Sequence, residues 1–348
     1  MRISVVGGGI AGLALAARLD PERFDVTVHE RNSELPTAGT VLGMWPAAQR
    51  ALDRLGVLEA AHQVSTPLET LAVRDGHGRV LAKPTVRGTV GIARAELLRL
   101  LAEAVPASVS RQTTKVADPE ALPGDLVVGA DGAHSVVRAD VWGARSAARP
   151  ARAIAVRGVV ADELWREDAG EYWLGGALFG VTRHRDGTNW FAAFASGLGS
   201  RDIDVEAAVA EVRDRCGGRA DGVDRVLRAV VPEGTIAQRI WVVPPLRSYV
   251  RRPPAARRPV VLVGDAAHAM TPNLGRGACE ALIDAVTLAD KLNTLPTADA
   301  LAAYDRARVG RTQALRAASA GVLRVALADR AAPVRDRLIR VAGRLAPA

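Results

Sequence analysis

The chain has 348 residues, 49% of them hydrophobic and 24% charged, with two cysteines and a net charge of +8. That length suits two domains, or one large domain with an insertion, and the composition is that of a soluble globular protein. Cys216 and Cys279 can build neither a disulfide framework nor a four-thiolate metal site, no apolar run approaches the ~18–20 residues of a membrane span, and the N-terminus has no signal-peptide cleavage region, so a cytoplasmic location is expected.

The positive charge is local. Residues 301–348 hold ten arginines and three aspartates, a net +7, whereas residues 1–300 hold 36 basic and 35 acidic groups. A neutral body with 4% aromatics does not present the basic, aromatic-interleaved face of a nucleic-acid binder.

In chain order, Ile3–Val6 reads as a strand, Ile10–Leu19 as an apolar helix stopped by Pro21, and Val26–His29 as a second strand, a βαβ unit with a parallel sheet. A helix is expected over 45–61. A hairpin turns at Asp75-Gly76-His77-Gly78, flanked by Leu71–Val73 and Arg79–Ala82, and a helix spans 94–105. Leu126–Val128 is a buried strand. Residues 151–195 alternate β-prone runs (Ala153–Val160, Tyr172–Leu174, Leu178–Thr182, Asn189–Phe194) and form a separate sheet. Pro253-Pro254 marks a return to the first domain. Val260–Val263 is again a strand, 277–292 a helix, and 299–328 and 334–345 are arginine-studded helices separated by Pro333.

Three motifs carry chemistry. Gly7-Xaa-Gly9-Xaa-Xaa-Gly12 follows a strand and opens a helix, and Glu30 ends the next strand 18 residues later. Gly7 permits the tight turn, Gly9 lets backbone approach a pyrophosphate, Gly12 permits close helix packing, and Glu30 can bind ribose hydroxyls. The fingerprint indicates a dinucleotide and does not separate NAD from FAD. The second motif is Gly129-Ala130-Asp131-Gly132-Ala133-His134-Ser135-Val136-Val137-Arg138. The third runs Gly264-Asp265-Ala266-Ala267-His268, then Pro272-Asn273-Leu274-Gly275-Arg276-Gly277, into a helix whose N-terminus favours negative charge. Asp265 taken alone serves equally well as a helix N-cap.

The three motifs in this order resemble the FAD-dependent monooxygenases typified by p-hydroxybenzoate hydroxylase, salicylate hydroxylase and the bacterial urate hydroxylases. Ile92-Ala93-Arg94-Ala95-Glu96-Leu97 resembles the family's Arg-Xaa-Xaa-Leu helix, whose arginine touches the flavin. The resemblance implies an α/β fold: a Rossmann-like FAD-binding domain (GR2-type), an inserted mixed or antiparallel β-sheet substrate domain, and C-terminal helices. The expected division is 1–68, 93–150 and 255–298 for the FAD domain, 69–92 and 151–254 for the substrate domain, and 299–348 for the helical segment.

The resemblance further implies that NAD(P)H reduces bound FAD, that O₂ is trapped as a flavin C4a-hydroperoxide, and that one oxygen atom hydroxylates or epoxidises an aromatic or heteroaromatic small molecule. The implied FAD contacts are Gly7, Gly9, Ala11, Gly12, Glu30, Arg31, Arg94, Asp131, Gly132, Gly264, Asp265, Pro272, Gly275, Arg276, Gly277 and Ala278. Pro272 and Asn273 would lie against the isoalloxazine, and the helix N-terminus at Gly275–Ala278 would stabilise charge on the reduced ring. Pro272 and Arg276 are the catalytic candidates. Tyr172, Phe179, Trp190, Phe194 and Trp241 are the candidate pocket walls, with Phe191 and His184 beside them, although His184 also reads as a hairpin end and each aromatic also reads as core.

Two departures stand out. Arg276 replaces the usual glutamine and could bind an anionic substrate group or the phosphates of NAD(P)H. The segment from Val109 to Asp125 is too short for the family's β-meander. No histidine–cysteine spacing suggests a metal. Expected partners are a small aromatic substrate, no nucleic acid and no integral membrane contact, in a monomer or homodimer. The basic C-terminal segment reads as solvated helix faces, a membrane-surface helix or an oligomer contact. The alternatives are a non-catalytic FAD-binding protein and an oxidase or reductase of the same fold. An NAD-dependent dehydrogenase fits less well, because of the third motif, and a flavin halogenase would need a Trp-Xaa-Trp-Xaa-Ile-Pro segment that is absent.

Overall fold

In the computed structural model, which describes residues 1–36, 40–68, 72–84, 87–199, 201–252 and 258–345, Arg2–Val6 runs parallel to Asp25–Glu30 on one side and to Leu126–Gly129 on the other. Val260–Leu262 continues the sheet parallel to Leu126–Gly129, followed by antiparallel Val250–Arg251. Ser110–Thr113 closes the far edge, parallel to Asp25–Glu30. The described residues give this sheet six strands. Its three central strands are apolar and buried, as a sheet covered on both faces requires. They are parallel neighbours, so the chain leaves all three at the same sheet edge, and each exit is one of the three motifs. Ligands bind at that edge in open α/β sheets.

Helix Ile10–Arg18 and helix Gly277–Thr294 pack together and are tied at their far ends by Arg18 Nε donating to Asp290 Oδ1 at 2.8 Å. The helix expected over 45–61 is two helices, Pro46–Arg54 and Leu58–Gln63, because Gly56 adopts a left-handed turn between them. Between Ser110–Thr113 and Leu126–Gly129 the chain forms no strand, so the meander is missing as expected.

A second sheet has the order Ile236–Val242, Arg149–Val160, Gly187–Ala195, Ala177–His184, Gly170–Trp173, Ala72–Arg74, Val80–Ala82. The hairpin at 75–78 falls where the sequence put it, while Leu71 lies outside the described residues. Residues 69–92 are divided: Ala72–Arg74 and Val80–Ala82 join the second sheet, and Val90–Ala93 pairs with Val41–Met44 and Thr66–Pro67 in a small third sheet. Helices Val205–Cys216 and Asp221–Ala229 cover one face of the second sheet. Its other face meets helix Thr297–Ala326 and helix Ala332–Leu345. Pro333 lies in the first turn of the latter, where its missing N–H costs nothing, and so does not separate the two helices. The Pro253-Pro254 return lies outside the described residues.

Candidate functional site

The glycine turn is built by exclusion. Gly7 has φ +107°, open to glycine alone without strain, and donates its N–H to His29 O at 2.8 Å. A methyl at Gly12 would overlap Gly7 O, whereas one at Gly9 would meet no atom within 4 Å. Two glycines are therefore packing requirements and the third faces open space. Helix Ile10–Arg18 begins there with no side-chain cap and no acid in its first turn, so its N–H groups are left for an anion. Ala11 is buried against Gly264. Glu30 stands beside the turn, with Oε2 accepting from Gly8 N at 2.8 Å and Oε1 from Asn32 N at 3.0 Å.

Asp131 Oδ2 accepts from Val136 N at 2.7 Å and Val137 N at 3.3 Å, holding the start of helix Val136–Trp142. Its Oδ1 is buried with no partner among the described residues, and burial raises the carboxyl above its ordinary range. Gly132 makes the turn beyond it at φ +78°. Arg31 is exposed, and its charge, with that of Arg201, adds to burial in lowering His134. Trp241 stacks edge-on against His134 at 4.5 Å, so it belongs to this motif and not to a wall with the other aromatics.

Gly264 fits between Ala11 and Ala281, where a Cβ would come within 3.2 Å of each of their methyls. It is itself the N-cap of helix Asp265–His268, with no side-chain cap, which leaves the Asp265 carboxylate exposed and near Gly277. Pro272 and Gly275 are exposed on the turn before helix Gly277–Thr294, which also starts without a side-chain cap, and Gly277 and Ala278 are half-buried there. Asn273 Oδ1 is a second buried orphan. An uncapped helix start over open space, a carboxylate at the ribose position and orphaned polar atoms at both later motifs fit a bound FAD.

Arg276 is not a free cation. Its Nη2 donates to Glu280 Oε1 at 2.6 Å, and its guanidinium lies 5.5 Å from the Trp45 ring centre, with 14% of the side chain exposed. Glu280 Oε2 accepts from Arg308 Nη2 at 2.5 Å. Arg308 Nε donates to Asp284 Oδ1 at 2.6 Å, and Asp284 Oδ2 meets His268 Nε2 at 2.7 Å and Gly264 N at 2.9 Å. Burial alone would raise both acids. The arginines outweigh it at Glu280, and His268 with Arg308 outweighs it at Asp284, so both carboxyls sit below their ordinary range. This chain of charges links the third motif to the long C-terminal helix.

Sequence reasoning missed Glu280, Asp284 and Arg308. For the two acids a signal is visible in retrospect: positions 276, 280 and 284 share one stripe in a helix whose first turns are otherwise apolar, whereas Arg308 has no such local mark. Arg138, the last residue of the second motif, was given no role by the sequence and is fully buried. Arg138 donates to Ser146 O, Ala266 O, Ala267 O and Pro244 O, tying the second motif to the third, and burial lowers it to about 10.

The pocket expectation needs correction. Tyr172, Phe179, Trp190 and Phe194 are core side chains under helices Val205–Cys216 and Asp221–Ala229. Strand parity explains it: these positions point to the helix-covered face, and their neighbours point the other way. Phe191 is on that opposite face, its ring over Gly180 and its register partner Arg157 beside it. Phe191 packs toward Val322 of helix Thr297–Ala326. One turn earlier on that helix, Ser319 donates to Thr271 O at 2.6 Å, next to Pro272. Asn189, also on this face, accepts from Val41 N at 3.4 Å. Arg94 is exposed, and its charge adds to burial in lowering Arg157. His184 ends its hairpin, where Nδ1 accepts from Asp186 N at 3.0 Å.

Comparison with known proteins gives the class. An FAD-binding-domain model matches residues 79–319, and a Rossmann-like NAD(P)-binding model matches residues 5–39. The 3-amino-4-hydroxybenzoate 2-monooxygenase of Streptomyces cremeus is 31% identical over 90% of this chain and 84% of its own. The aurachin C monooxygenase/isomerase of Stigmatella aurantiaca is 29% identical over 98% and 94%. The crystal structure of Klebsiella pneumoniae HpxO with FAD and uric acid superposes with a TM-score of 0.85 at 24% identity, covering 98% of this chain and 93% of that one, a likeness of fold. The chain belongs to the FAD-binding-domain family of flavoprotein monooxygenases and is an FAD-linked oxidoreductase. Among the described residues no helix is long and apolar enough to cross a membrane.

Proposed function

We propose that the protein hydroxylates or epoxidises an aromatic or heteroaromatic small molecule, with NAD(P)H as electron donor and O₂ as co-substrate. Bound FAD would supply the oxygen-activating redox chemistry. In this reading the helix start after Gly9 holds the pyrophosphate and Glu30 the ribose. Asp265 binds a hydroxyl of the flavin side chain. The Gly277 and Ala278 N–H groups stabilise negative charge on the reduced ring. Pro272 forms a wall against the ring and excludes water.

The observation that carries the substrate class is the inner face of the second sheet. Phe191 offers an aromatic surface there, and Arg157 and Arg94 set positive potential beside it. That combination suits an electron-rich ring bearing an acidic hydroxyl or a carboxylate. Relatives that act on aminohydroxybenzoate and urate support the same reading.

Purified holoprotein offered phenols, indoles, quinolones and purines tests it. At least one class should stimulate NAD(P)H oxidation and give a product heavier by one oxygen atom. A flavin that NAD(P)H never reduces, with or without these compounds, would refute the reading and favour a non-catalytic FAD-binding protein.

A further inference from the structure

Among its described side chains, helix Ala332–Leu345 is anchored through Arg335 and Ile339. Arg335 is buried: its Nη1 donates to Ala326 O at 2.9 Å and its Nη2 to Trp173 O at 3.1 Å, while Ile339 packs into the Trp173–Leu178 cluster. These two residues define the packed face. At ~100° per residue, Val334, Leu338 and Val341 form one stripe about a third of a turn round from the packed face, three or four residues apart. They are 64%, 64% and 50% exposed, among the most exposed large apolar side chains described. A helix packed once against its own protein needs one apolar stripe, and this one carries a second, facing solvent.

The surroundings indicate what the second stripe meets. Arg337 is exposed on the flank of this stripe beside Val341, and Arg340 lies further round that flank, 41% exposed and 3.7 Å from Asp75 Oδ2. Arg330 and Arg324 are exposed just before the helix, with Asp329 the neighbouring exposed acid. The segment 301–348 holds nearly all of the net charge. A two-fold contact through this stripe would set Arg337 and its neighbours against their own copies. A surface of opposite charge with an apolar layer beneath avoids that repulsion, and an anionic lipid bilayer has this chemistry.

We propose that Val334, Leu338 and Val341, with the flanking Arg337, dock the protein on the surface of anionic membranes without crossing them. The helix also touches Trp173 and the strand Val80–Ala82, so docking brings the second sheet close to the bilayer.

Sedimentation of holoprotein with vesicles tests this without any turnover. Vesicles of phosphatidylcholine with phosphatidylglycerol should bind at least tenfold more protein than phosphatidylcholine alone, and high salt should reverse most of it. Leu338→Asp should abolish binding at unchanged flavin content and melting temperature, and Arg337→Glu should weaken it several-fold. Three results would overturn the proposal: no binding to anionic vesicles, equal binding to neutral ones, or a concentration-dependent dimer that Leu338→Asp dissociates, which would assign the stripe to a second copy.

Discussion

The two sheets carry their information differently. At the edge of the parallel sheet, the working parts are backbone turns, and Gly7, Gly12 and Gly264 mark them because a side chain there would be strained or would clash, while Gly9 leaves open space. On the second sheet, the working parts are side chains on one of two faces, and an aromatic run does not say which face is which. Asn189 to Phe194 shows this: Trp190, Ala192 and Phe194 build the core, and Phe191, between them, lies on the other face with Val322 of helix Thr297–Ala326. Composition finds a wall, and only the sheet's pairing and packing decide which side it lines.

The largest expected effect lies in the buried charges behind the first region. Asp284→Ala leaves Arg308 and His268 without their shared partner and should cost ~3–5 kcal/mol in denaturant unfolding. The pH dependence follows from the same contacts. Glu280 and Asp284 sit below the ordinary carboxylate range in the folded protein. Their contribution is therefore present above about pH 4 and lost as pH falls from there through the lower folded values. Acid unfolding of Asp284→Ala should start at higher pH but be less steep.

The two faces of the second sheet should separate next. Phe179→Ala removes a fully buried ring and should cost ~3–5 kcal/mol in stability. Phe191→Ala, half-buried, should cost under ~2 kcal/mol, yet raise KM for the aromatic substrate several-fold. Equal effects on both measures would erase the distinction between the faces. Gly12→Val should destabilise by ~1–3 kcal/mol through the clash with Gly7 O, and FAD affinity, measured by flavin fluorescence, should fall about tenfold or more.

The smallest change concerns Arg276. Its pairing with Glu280 weakens the idea that it is a free anion receptor, but its stacking on Trp45 keeps it at the site. Arg276→Gln should cost ~1–2 kcal/mol. A KM change for substrate or NAD(P)H would retain a binding role, and unchanged kinetics for both would remove it.

Much of the first region was legible in the sequence because glycine spacing encodes steric necessity. The Rossmann-like sheet and the three motifs follow from it, and the lost meander follows from the shortness of 109–125. Less legible were contacts made between distant segments. Arg138 reaches carbonyls over 100 residues away, and Arg308 meets Glu280 and Asp284 across two helices. Arg138 stands in the second motif, which does not tell its partners, and Arg308 belongs to no local pattern. The split of the 45–61 helix at Gly56 was readable and was overridden by apolar periodicity on both sides of it.

Isotope labelling of the reaction tests the central claim most directly. With NAD(P)H, a responding substrate and heavy-isotope dioxygen, the product should carry one labelled oxygen atom, in step with the NAD(P)H consumed. Label found only in hydrogen peroxide, or product oxygen drawn from water, would contradict a monooxygenase and leave an oxidase on the same fold.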